Sequence, residues 1–143
     1  MLHARAPLTR LRAILFVLAM LLLLPTQLHA QVQELLGNWQ QLSSNAGACP
    51  SCQISFSGGS SQLTVTANNG WSAVVEARET REAGTMAAGR GSWRAGTGVL
   101  ASKPFTIEFT LRGERLYMTM TNDLGNGRKR IVRGVFGRPW LGA

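Results

Sequence analysis

Apolar and polar residues alternate one by one along most of this chain, and short runs of turn residues break the alternation at close intervals. A period of two marks a strand with one buried face, whereas no stretch carries the 3.6-residue period of a full helix. Residues 105–112 are the clearest case: Phe105, Ile107, Phe109 and Leu111 point one way, and Thr106, Glu108, Thr110 and Arg112 the other. Leu63, Val65 and Ala67 alternate with threonines, and Trp71, Ala73, Val75 and Ala77 share one face of 71–78. Residues 115–121 set Leu116, Met118 and Met120 against Tyr117 and Thr119. The same reading predicts strands at 36–42, 52–56, 85–95 and 128–137, and a single helical turn within 31–36. Turns are expected at 58–61, 68–70, 113–114 and 122–127, and a loop at 96–104. Gly89 and Gly91 interrupt their strand, as at a barrel bend. Eight strands joined by short connections must each bury a face. The expected fold is therefore all-β: a single antiparallel up-and-down barrel, with a two-sheet sandwich as the other solution. Its interior is expected to hold Trp71, Val75, Phe105, Ile107, Phe109, Leu116 and Met118.

Residues 1–30 read as an export signal peptide. Arg5, Arg10 and Arg12 form a basic start, 13–24 an apolar core, Pro25 a break, and Ala30 the small residue at the cut. The apolar run is too short for a bilayer span of roughly twenty residues. Arg10-Leu11-Arg12 is not a twin arginine, and no cysteine stands at the cleavage point after the apolar core, so general secretion without a lipid anchor is expected. The mature domain, 31–143, is then periplasmic or secreted. Both histidines, His3 and His29, leave with the signal. A histidine-free domain lacks the usual triad base, the usual zinc ligand and the proximal haem ligand. No cofactor and no metal are expected.

The whole chain carries fifteen Lys and Arg against seven Asp and Glu. Removing the three signal arginines leaves a mature charge of +5, carried almost entirely by arginine. Such a surface favours anionic envelope components or another acidic periplasmic protein, with no specific nucleic acid implied. The densest stretch is Arg128-Lys129-Arg130 with Arg133. Along a strand, Lys129 and Arg133 share one face and Arg128 and Arg130 the other. With Arg112 and Arg115 on the preceding hairpin they form an anion-binding candidate, which Tyr117 is placed to join. The carboxylates Glu76, Glu79, Glu82, Glu108, Glu114 and Asp123 mostly neighbour arginines, as expected of solvated strand faces with cross-strand ion pairs. They do not point to a hydrolase, and the chain is read as non-catalytic.

Gly37-Asn38-Trp39 places Gly-x-Trp on the first strand, just after the helical turn. This resembles the opening of the lipocalins, avidins and other calycins, which are meander barrels of eight to ten strands. The resemblance implies that Trp39 closes one barrel end and meets an arginine of the last strand, for which Arg130 and Arg133 are the candidates. It also implies binding rather than catalysis. Small bacterial periplasmic inhibitors of lysozymes or proteases have similar barrels, and no motif assigns the chain to them.

The expected function is thus an exported β-barrel that binds a small apolar or anionic envelope component. The ligand-binding candidates are Trp39, Trp71, Phe105, Phe109 and Met118. An interaction or inhibitor module acting through loops 46–51 or 96–103 is the alternative. A thiol–disulfide oxidoreductase using Cys49-Pro50-Ser51-Cys52 is the third reading. Cys-x-x-Cys enzymes place the reactive thiol at a helix N-terminus, and here the motif links two strands. A structural disulfide between Cys49 and Cys52 is expected. The bridge should stay oxidised in a glutathione buffer, and a reduction potential above about −230 mV would favour the oxidoreductase.

Overall fold

Eight strands pair in chain order, each with its successor, and the last returns to the first. The computed structural model describes residues 32–80, 82 and 84–139, so the segment 1–30 expected to be an export signal and Trp140 lie outside the described residues. The strands are β1 (Gly37–Ser44), β2 (Gln53–Gly59), β3 (Gln62–Ala67), β4 (Trp71–Thr80), β5 (Gly84–Trp93), β6 (Pro104–Arg112), β7 (Arg115–Gly125) and β8 (Arg128–Gly137). All neighbours are antiparallel, and β1 pairs with β8 from Gln40↔Gly137 to Ser44↔Gly134, which closes the barrel. The expected fold class is therefore the observed one. Ahead of β1, Leu35 N–H donates to Val32 O (3.1 Å) and Leu36 N–H to Gln33 O (3.2 Å), closing a helical turn. A short 3₁₀ turn, Gly98–Leu100, lies in the β5–β6 connection.

The interior follows the alternation. Every residue expected inside is buried, and Phe109 and Leu116 are wholly so. Burying one such side chain stabilises the fold by about 1.5–3 kcal/mol. Phe56 and Phe109 meet edge to face at 4.9 Å in mid-barrel, and Trp71 meets Phe105 at 5.7 Å nearer one end.

One expected turn is shorter than its composition suggests. Asn122, Asp123, Leu124 and Gly125 belong to β7, and Asn122 pairs with Arg130 of β8. Continued pairing satisfies backbone groups that a loop would leave to water, and this outweighs the turn preference of Asn and Asp. The chain reverses at Asn126-Gly127, where both residues have positive φ (54° and 73°), as a tight primed hairpin turn requires.

Strand β5 carries glycine at two neighbouring inward positions, Gly89 and Gly91, between Ala87 and Trp93. A Cβ on Gly91 would lie 2.5 Å from the Phe105 ring, and one on Gly89 only 2.0 Å from the Val74 carbonyl oxygen. The missing side chains let β5 bend against β4 and let Phe105 lie across Gly91. Gly89→Ala should therefore destabilise the protein by about 1–3 kcal/mol in urea unfolding, the range for overpacking. Gly59→Ala meets nothing within 4 Å and should stay within about 0.5 kcal/mol of wild type. Equal midpoints for the two variants would refute the close approach at Gly89.

Candidate functional site

The two ends of the barrel differ in chemistry. At one end Trp39 is 1% exposed, and its indole N–H donates to Leu35 O (2.8 Å). The Arg138 guanidinium lies over the same indole, 3.9 Å from the ring centroid. That guanidinium also donates to three carbonyls: Leu36 O (2.8 Å), Asn38 O (3.2 Å) and Glu34 O. One arginine thus ties the end of β8 to the helical turn and to β1. Desolvation by burial lowers the Arg138 pKa from its ordinary value. The expectation that Arg130 or Arg133 meets Trp39 is corrected here. Gly137 lies opposite Gln40, so the residue next to Trp39 is the one that follows β8. Arg130 and Arg133 are placed earlier on the strand.

The other end is open. A cavity of about 310 Å³ enters the barrel there, walled by Ile54, Trp71, Trp93, Met118, Met120 and Val132. Its rim is the β1–β2 loop, in which Cys49 and Cys52 form a disulfide and Cys52 N–H donates to Cys49 O (3.0 Å) across a turn. Side-chain amides hold this loop in place. Asn45 donates to Ile131 O (3.2 Å) and accepts from Arg133 N–H (2.8 Å). Asn68 donates to Ser51 O (2.7 Å) and accepts from Gln53 N–H (2.9 Å). On the far side Leu100, from the 3₁₀ turn, completes the wall. Both loops proposed for the alternative reading therefore border this mouth.

Asn122 lies among the residues that line the cavity and is fully buried. Its Oδ1 accepts from the Trp93 indole N–H (3.0 Å). An indole N–H only donates, so the amide oxygen must face it and the Nδ2 group must point elsewhere. That Nδ2 has no hydrogen-bond partner among the described residues. Arg130, directly opposite on β8, also lines the cavity and is exposed to solvent. Among the described residues no Asp or Glu lines it.

Of the ligand-binding candidates, Trp71 and Met118 line the mouth. Phe105 lies beneath it, edge-on to Trp71 and Trp93. Phe109 belongs to the mid-barrel core, and Trp39 to the closed end. The anion-binding candidates are dispersed. Arg112 faces Arg115 across the β6–β7 hairpin, with Arg112 5.8 Å from the Tyr117 ring centroid. Lys129 lies opposite Asp123, and Arg133 opposite Thr119. Arg115 and the partner position of Arg130 are seven residues apart on β7, a separation of about 23 Å at strand rise. The expected cross-strand ion pairs do not form among the described residues. Glu76 and Glu108 instead flank Ala88 on the outer wall, both exposed.

Asn122, Trp93 and Met120 were absent from the sequence candidates. The signal was present for Asn122, which continues the inward series Leu116, Met118, Met120, but its turn-like neighbours masked it. No His, Cys, Asp and Glu cluster suited to a metal ion occurs among the described residues. Comparison with protein-family models, curated proteins and solved structures returns no match.

Arg138→Lys keeps a positive charge but loses the planar fork that reaches three carbonyls. It should cost about 2 kcal/mol in thermal or urea unfolding, the scale of charge-assisted hydrogen bonds. Arg133→Lys should leave stability within about 0.5 kcal/mol. A wild-type midpoint for Arg138→Lys would show that charge alone holds this end.

Proposed function

We propose that this chain is an exported, non-catalytic barrel of lipocalin- or avidin-like kind that holds a small, mainly apolar ligand in its open mouth. Export rests on the residue pattern of 1–30, and a periplasmic or secreted location follows from it. Kinship with that class is supported by Gly37-Asn38-Trp39 after a helical turn, with Trp39 stacked by an arginine at the end of the last strand.

The ligand reading is carried by one observation: a cavity of about 310 Å³ with two tryptophans in its wall, in a barrel whose other end is closed. This volume lies at the lower end of the range for small-molecule sites, roughly 300–1,000 Å³. A body of about two fused rings fits it. Apolar surface covered there contributes about 25 cal/mol per Å². The disulfide and the amide bonds of Asn45 and Asn68 order the rim in advance, so little entropy is lost on binding.

A neutral two-ring probe, 2-naphthylmethanol, should quench the tryptophan fluorescence saturably at one equivalent. Val132→Phe fills the mouth and should weaken binding by about tenfold, or 1.4 kcal/mol. Val74→Phe, at a half-exposed outer-wall position, should leave the affinity within about twofold, since exposed changes are usually mild. Equal weakening by both variants, or by neither, would place the probe outside the mouth and defeat this reading.

A further inference from the structure

We infer that the mouth selects ligands bearing a carboxylate, received jointly by Asn122 Nδ2 and the Arg130 guanidinium. This rests on the reading of the mouth as a ligand site and adds the chemistry of its polar end. Asn122 is 0% exposed, lines the cavity and holds its amide orientation through the Trp93 bond. Its Nδ2 donor therefore has a defined direction and no protein partner among the described residues. A buried donor left unmatched is destabilising, and a ligand acceptor removes that penalty.

Arg130 supplies the second donor. Directly opposed residues of an antiparallel pair have Cβ atoms about 5 Å apart on the same face. Asn122 and Arg130 are such a pair, and both line the cavity. Among the described residues Arg130 has no ion-pair partner and is the sole charged side chain lining the cavity. An amide N–H beside a guanidinium fork presents donors only. Two oxygens sharing one negative charge match both groups at once. A ligand ammonium would meet repulsion from Arg130 and offer Asn122 no acceptor. A neutral hydroxyl satisfies Asn122 and leaves the charge of Arg130 unused. The apolar body then lies against Trp71, Trp93, Met118 and Met120.

The test compares two probes with the same ring system, 2-naphthoate and 2-naphthylmethanol, by calorimetry on the intact disulfide-bonded protein. Wild type should bind the carboxylate about tenfold more tightly, and the preference should shrink as salt rises because Arg130 is exposed. Arg130→Gln should abolish the preference for the carboxylate over the alcohol. Arg133→Gln removes the same charge from the outer wall and should preserve the preference. Asn122→Asp keeps an oxygen for Trp93 but removes the donor and adds repulsion. It should reverse the preference, and if that variant fails to fold, the two arginine variants decide alone. Equal wild-type affinity for both probes overturns the carboxylate and leaves the mouth as a site. Equal loss from Arg130→Gln and Arg133→Gln also overturns it, by assigning the attraction to diffuse charge. Binding of neither probe overturns both the carboxylate and the mouth.

Discussion

Closure of β1 on β8 is the contact on which the rest depends. Gln40 must meet Gly137 across most of the chain before either strand loses its free edge. Loop-closure entropy opposes such a pairing, and backbone hydrogen bonds alone return little net free energy. The chain reinforces the joint with side chains from both strands. Arg138 follows β8, stacks on Trp39 and donates to carbonyls of the helical turn and β1. Asn45, just past β1, exchanges hydrogen bonds with the backbone of β8 at Ile131 and Arg133. The seam is thus held at both ends, and a closed sheet leaves no edge for another chain to extend.

The two ends of the barrel along that seam differ in chemistry. Where Trp39 and Arg138 meet, an indole and a guanidinium fill the end and satisfy each other's neighbours. At the opposite end the inward series on β7 and β8 finishes in Asn122 and Arg130, and Asn122 Nδ2 has no hydrogen-bond partner among the described residues. Strand β5 contributes by omission. Gly91 yields its inward space to Phe105, whose ring supports Trp71 and Trp93 from below. Aromatic walls, a fixed amide and one unpaired cation are therefore gathered at a single opening.

Strands and core were legible because a strand's side-chain period is local. Gln62–Ala67 and Arg128–Gly137 follow from alternation and flanking turn residues alone, and Phe105, Ile107 and Phe109 reveal the core face without any partner. The site was half legible. Trp71 and Met118 were found as inward apolar residues of alternating strands. Asn122 was not, because its neighbours Asp123 and Gly125 carry turn chemistry that competes with strand assignment. The arginine that meets Trp39 also escaped. Choosing among Arg130, Arg133 and Arg138 needs the β1–β8 register, which depends on a bulge between Gln41 and Ser43.

The sequence by itself determined an all-β chain with alternating faces, eight strands, a local disulfide and no histidine after His29. These follow from residue order, because turn formation, side-chain alternation and a three-residue cysteine spacing act over neighbouring positions. Only the tertiary structure decided which end is closed, and that Asn122 and Arg130 are partners across a sheet. It also dispersed the basic residues that adjacency in sequence had grouped. Register and closure set these relations, and both are fixed by contacts between residues far apart in the chain, where a shift of one position turns every side chain to the opposite face.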